Sequence, residues 1–140
     1  MIEIDNQTDI DINIEALEKI AKELTDAPIE LLITNNDTIQ ELNATYRDKD
    51  KPTDVLSFPM EQEIAGMPLG SIVISEAFVK EKSAEFGHTL QDELCLLFIH
   101  GLLHLLGYDH EVDNGQMRSK EKELIEKFDL PKSLIVRTTE

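Results

Sequence analysis

Residues 100–110 read HGLLHLLGYDH and hold three of the chain's four histidines. His100 and His104 lie four residues apart, in a stretch apolar enough to be a buried helix. At 3.6 residues per turn both imidazoles leave the same face, one above the other. Gly107 suits a helix end, because glycine accepts the left-handed conformation that a stop needs. The chain can turn back there and bring His110 to the same point. Three neutral imidazoles can hold Zn²⁺ at about 2.0–2.1 Å per Zn–N bond and leave a fourth position open for water. That open position separates a catalytic zinc site from a structural one. A lone histidine on an apolar helix is usually a core residue. Three at these spacings, with a glycine at the bend, read as a metal site. Zinc leads, although imidazole also suits nickel, copper and iron.

The spacing H-x-x-x-H-x-x-G-x-x-H also belongs to the metzincin proteases, which carry Glu directly after the first His as general base. Here that position is Gly101. Glycine in a helix interior costs about 1 kcal/mol relative to alanine. Room for a bulky substrate beside the metal, or close packing of another backbone, should offset that cost. The missing Glu argues against peptide hydrolysis by the usual route. Metal-activated water chemistry stays open, because zinc alone lowers the pKa of bound water to about 7.

A second informative stretch is ELNATYRDKDKPTDVLSF at 41–58. Arg47 stands where a helix should give way to a polar loop, a common place for functional groups. Its guanidinium is a planar fork of donors that matches phosphate oxygens. The plainer alternative is a structural ion pair with Asp48, Asp50 or Asp54. Arg47, Lys49 and Lys51 form a candidate cationic pocket. Arg118, Lys120 and Lys122 form another cluster, better read as a solvated face of mixed charge. Thr53 and Asp54 look like turn and capping residues.

These groups need a scaffold. IEIDN at 2–6 alternates like a strand, and residues 14–24 carry apolar side chains at helical spacing. IELLIT at 29–34 reads as a strand, and Asp37 can cap a helix through about Tyr46. VLSF at 55–58 is a short strand closed by Pro59, and 61–68 a loop with Gly66 and Pro68. SIVIS at 71–75 is a further strand, rich in β-branched residues. Ser75 caps a helix that stops at Gly87. Thr89 and Asp92 cap the long apolar helix that carries the histidines. That helix is apolar nearly all round, so it should be central and buried. Asn114 opens a charged last helix through about Phe128, and Pro131 blocks further helix. The expected fold is α+β, with a small mixed sheet packed with helices around a buried central helix that carries the metal-binding histidines in a zincin-like site.

The 140 residues suit one domain, 1–140, with a single core. There is no run of eighteen apolar residues, so no membrane span is expected. The N-terminus is acidic and alternating, unlike a signal peptide. Cys95, the single cysteine, falls in an apolar helix and reads as a core thiol. A cytoplasmic location follows as the expectation. Net charge is −16, which argues against bulk nucleic-acid binding. A phosphate-bearing substrate would need a local cationic pocket.

Two motifs together, N-x-x-Y-R followed by T-D-V-L-S-F-P, and H-G-x-L-H-L-x-G-Y-D-H, resemble the YbeY family of bacterial endoribonucleases. Asn43, Tyr46, Arg47 and the run Asp54 to Pro59 carry the first. His100, Gly101, Leu103, His104, Leu105, Gly107, Tyr108, Asp109 and His110 carry the second. The similarity continues through LG-x-I-V-I-S at 69–75 and Met117. It implies a metal-dependent RNase specific for single strands, acting in 16S rRNA 3′-end maturation and ribosome quality control. It implies one zinc on His100, His104 and His110, and an arginine, Arg47, needed for activity alongside His100. Lys49 and Lys51 would help bind RNA, and Asp109 would orient a histidine ligand or simply close the turn. Single-stranded RNA and ribosomal particles or ribosomal proteins are the expected partners, with no membrane. The family usually has Asp where this chain has Ser71, which puts any contribution of that carboxylate in doubt. Two other readings stay open: a zinc hydrolase of an amide or peptide bond, and a metal-bound ribosome-assembly factor without catalysis.

Overall fold

A computed structural model describes residues 2–60, 67–109 and 112–134. Its elements, in chain order, are β1 (Ile2–Asn6), α1 (Ile14–Leu24), β2 (Ile29–Thr34), α2 (Asn36–Arg47), β3 (Val55–Pro59) and β4 (Gly70–Ser75), then α3 (Glu76–Phe86), α4 (Leu90–Leu105) and α5 (Gln116–Lys127). Among the described residues the strands form one sheet in the order β1-β2-β4-β3. β1, β2 and β4 run parallel, and β3 pairs antiparallel with β4 at the edge of this sheet among the described residues. Pro59 ends β3, and an edge strand tolerates its missing N–H. The fold is α+β with a mixed sheet, as the pattern of elements predicts.

Strand alternation divides the sheet's side chains between two layers. Ile29, Leu31, Ile33, Ile72 and Ile74 point into the main core with α1, α3 and α4. Leu56 and Val73 point the other way and pack with Ile39 of α2. α4 is enclosed on both sides. The sheet covers one flank, and Leu96 on another flank packs with Ile125 of α5 and Leu134. This double covering is why the helix is apolar nearly all round. Thr89 and Asp92 cap it reciprocally: the Thr89 hydroxyl accepts from Asp92 N, and the Thr89 N–H donates to the Asp92 carboxylate. Gly107 stops it at φ +100, with Gly107 N–H on the His104 carbonyl and Tyr108 N–H on Leu103. That pair of bonds is a Schellman stop.

Two expected caps are corrected. Asn35, not Asp37, caps α2, its side-chain oxygen accepting from Thr38 N at 2.8 Å. Asp37 falls in the first turn, where its charge suits the positive end of the helix dipole. The last helix opens at Gly115 rather than Asn114. Asp113, outside the helix, accepts from Gly115 N at 2.8 Å and from the first-turn Met117 N at 3.0 Å. Within the expected 61–68 loop, residues 61–66 lie outside the described residues.

Cys95 is buried in α4. Burial pushes its thiol up to about 11, against an opposing hydrogen bond from Gln91. Above the ordinary thiol range the unfolded chain loses this proton while the folded chain keeps it. Folding stability is therefore expected to be whole below about pH 9 and to fall as pH rises toward 11. Urea unfolding of the parent and Cys95→Ala at about pH 8 and about pH 10.5 measures it. The parent's midpoint should drop more than the variant's, and parallel drops would contradict it.

Candidate active site

α4 carries His100 and His104 on one face, toward its C-terminal end. Their rings meet edge to face with centroids 4.7 Å apart. The two Nε2 atoms lie 3.2 Å apart. Two nitrogens on a tetrahedral zinc at 2.0–2.1 Å would be about 3.3 Å apart. The donor set and its spacing therefore fit a zinc ion. His110 lies outside the described residues. Among those described, no cluster of three or more His, Cys, Asp or Glu is arranged for a metal.

His100 and His104 open into a cleft of about 500 Å³. Arg47, Lys49 and Lys51 line the same cleft, with Asn43, Asp54 and Ser57. The predicted cationic pocket and the predicted histidine pair, some fifty residues apart in sequence, thus line one cleft. Arg47 ends α2. Asp48 then takes the left-handed conformation, φ 58, and turns the chain into the loop. Buried Asn43 ties that loop down, its amide donating to the Lys51 carbonyl at 2.9 Å. Gln40 donates to Asp50 at 3.0 Å.

The Arg47 guanidinium donates to the Ser57 carbonyl of β3 at 2.5 Å and sits 5.8 Å from the centre of the Phe58 ring. Among the described residues it bonds this backbone oxygen rather than Asp48, Asp50 or Asp54. The second basic cluster is a mixed-charge surface: Lys120 pairs with Glu123 at 2.9 Å and Lys122 with Glu126 at 4.0 Å. Asp109 sits in the turn after α4, its carbonyl accepting from Val112 N and Asp113 N.

Gly101 resolves why glycine follows the first histidine. Residue 101 packs against β3 and β4 of the sheet. A Cβ there would come 2.8 Å from Ile72 Cγ2, 3.2 Å from Ser57 Oγ and 3.3 Å from Val55 Cγ2. The Ser57 hydroxyl also donates to the Gly101 carbonyl at 2.9 Å, latching helix to strand. The close packing is thus with side chains of β3 and β4. A side chain at this position would start in crowded space, and glycine carries no carboxylate, so the chain has no base of the metzincin kind here. Gly101→Ala is expected to destabilise the fold by about 1–3 kcal/mol through overpacking. This happens although alanine gains about 1 kcal/mol of helix propensity. A urea midpoint at or above the parent's would contradict it.

Two residues of the site region have roles that the sequence did not assign. Glu121 of α5 is 3% exposed and accepts from His100 Nδ1 at 3.0 Å. Ser57 contributes its carbonyl to Arg47 and its hydroxyl to Gly101. Both looked like ordinary members of a charged helix and a short strand. A glutamate on the apolar seam of α5, between Met117 and Leu124–Ile125, was the available signal for the first. The fourth histidine, His88, is spent structurally: Nε2 lies 2.8 Å from buried Glu93 and Nδ1 2.9 Å from the Ser133 hydroxyl.

The fold and site define an α+β protein with a helix-borne pair of imidazoles facing a cationic cleft. Residues 2–129 match the family model described as endoribonuclease YbeY. A protein of Sulfurovum sp. named endoribonuclease YbeY is 63% identical, over 98% of this chain and 97% of its own. One of Aliarcobacter butzleri with the same name is 61% identical, over 99% and 100%. The solution structure of TM1509 from Thermotoga maritima superposes with a TM-score of 0.60 at 34% identity, covering 91% of this chain and 89% of that one. The chain belongs to the endoribonuclease YbeY family, a family of nucleases that act on phosphodiester bonds.

Proposed function

We propose that the chain is a zinc-dependent, single-strand-specific endoribonuclease, acting in the cytoplasm on the 3′ end of 16S rRNA and in ribosome quality control. The observation that carries this reading is the shared cleft. It brings two imidazole Nε2 atoms 3.2 Å apart and sets Arg47, Lys49 and Lys51 around them. Endoribonuclease names among close relatives support an RNA substrate. Among the described residues no helix is long and apolar enough to cross a membrane.

In this reading His100, His104 and His110 hold one zinc ion. When bound, it supplies Lewis-acid chemistry to a phosphoryl oxygen or to the attacking hydroxyl. The protein's side chains do the rest. Lys49 and Lys51 bind phosphates of the strand as it enters. Arg47, held at the cleft wall by the Ser57 carbonyl, directs its remaining N–H donors at charge building on the scissile phosphate. Asp109 orients a ligand histidine from outside the coordination sphere. A flexible strand can bring one phosphodiester into such a recess, whereas stacking holds a duplex straight.

The net charge of −16 opposes attraction of RNA to the rest of the surface. Site choice would then come from a ribosomal particle or ribosomal protein that delivers the RNA end. A hydrolase of peptides is disfavoured by Gly101, whose place against the sheet leaves no room for the usual base. The test is cleavage of one labelled RNA, single-stranded and as a duplex, by zinc-loaded protein beside His104→Ala. Cleavage of the single strand alone, lost in the variant, is the expected result. Equal cleavage by both proteins would overturn the reading.

A further inference from the structure

Two histidine–glutamate pairs involve α4, and they differ in the exposure of the imidazole. In His88–Glu93 the side chains are 1% and 0% exposed, and both ring nitrogens are engaged, by Glu93 and Ser133. In His100–Glu121 the carboxylate is equally sequestered, at 4%, but the imidazole is 27% exposed. Only its Nδ1 is turned to the carboxylate. Its Nε2 faces the cleft and His104.

A carboxylate accepts hydrogen bonds and does not donate them, so the proton of His100 is held at Nδ1. The lone pair is thereby held at Nε2, the atom aimed at His104. A buried carboxylate is costly unless compensated. Among the described residues its hydrogen-bond partner is this one imidazole. A cation on the far ring nitrogen would complete that compensation through the ring. α5 packs against α4 through Met117, Leu124 and Ile125, so the carboxylate is delivered by a rigid helix and not by a loop.

We infer that Glu121 is a positioning residue: from α5 it fixes the tautomer and ring orientation of His100 and so tunes that histidine as a metal ligand. The inference rests on the metal reading above. It assigns to the last helix, distant in sequence from either motif, a part in the site. Partners of this kind commonly change metal affinity by about 10- to 100-fold.

The experiment compares the parent, Glu121→Gln, Glu121→Ala and, as control, Glu93→Gln. Zn²⁺ affinity is measured by competition with a chromophoric chelator. The tautomer of His100 is read in the metal-free proteins by long-range ¹H–¹⁵N correlation. Thermal unfolding of the metal-free proteins reports stability separately. Glu121→Ala should bind Zn²⁺ about 10- to 100-fold more weakly and Glu121→Gln by a lesser factor. The Nδ1–H form of His100 should give way to a mixture in Glu121→Ala. Glu93→Gln should lose stability and keep the parent's Zn²⁺ affinity. If Glu121→Ala does not fold, the isosteric Glu121→Gln carries the test. Zn²⁺ affinity within about twofold of the parent in the Glu121 variants overturns the inference alone. So does an equal loss in Glu93→Gln, which would mark the effect as general destabilisation. A parent protein that takes up no Zn²⁺ would overturn the metal reading and this inference with it.

Discussion

Arg47→Lys is expected to lower RNA cleavage by on the order of 10²–10³-fold, the range for removing a donor aimed at transition-state charge. Zinc content and unfolding midpoint should stay near the parent's. The charge survives the substitution; the fork does not. In the parent, one arm of the guanidinium is spent on the Ser57 carbonyl, and the Phe58 ring lies 5.8 Å away. These contacts leave the other N–H donors held at the cleft wall. A lysine ammonium has three donors on one atom and cannot both hold the strand and reach past it. Arg47→Ala should be at least as slow. Single-turnover cleavage of a labelled single-stranded RNA decides the matter. Parental rates in both variants would make Arg47 a strut for the β3 edge and nothing more.

His104→Ala is expected to reduce both Zn²⁺ affinity and cleavage by more than about 100-fold. Loss of a ligand should exceed the 10- to 100-fold cost of losing a group that only supports one. His104 Nε2 stands 3.2 Å from His100 Nε2, so its removal leaves the cleft with half of the described imidazole pair. The side chain is only partly buried, so the fold should survive. Metal analysis of the purified variant, beside its circular dichroism and its cleavage rate, separates loss of the ion from loss of structure. Full zinc retention in a folded variant would remove His104 from the ligand set.

These two tests address the residues most legible in the sequence. His100 and His104 were visible because helical spacing is local: four residues bring two side chains to one face whatever surrounds the helix. The stop at Gly107 was visible for the same reason, since its left-handed conformation is a property of the residue. The caps of α4 at Thr89 and Asp92 were likewise readable. The start of α2 was less so, because Asn35, Asn36 and Asp37 all suit a cap. The choice fell to the residue whose oxygen reaches Thr38 N. The start of α5 was displaced by Asp113, whose two hydrogen bonds made a cap of a position outside the helix.

What the sequence determined by itself is the chemistry available and its local aim. It set an imidazole pair on an apolar helix, an arginine at the end of another helix, strong acidity overall and a core thiol at Cys95. What only the tertiary structure decided is which of these meet. The edge position of β3 brings the Ser57 carbonyl to Arg47 and the Ser57 hydroxyl to Gly101, so one strand residue registers the arginine against the histidine helix. The packing of α5 on α4 brings Glu121 to His100, twenty-one positions earlier in the chain. The reason Gly101 must be glycine lies in Ile72, a residue of a different strand. Spacing along a chain reports neighbours within a turn or a strand. Contacts between elements depend on how apolar faces exclude water together, and no single segment carries that information.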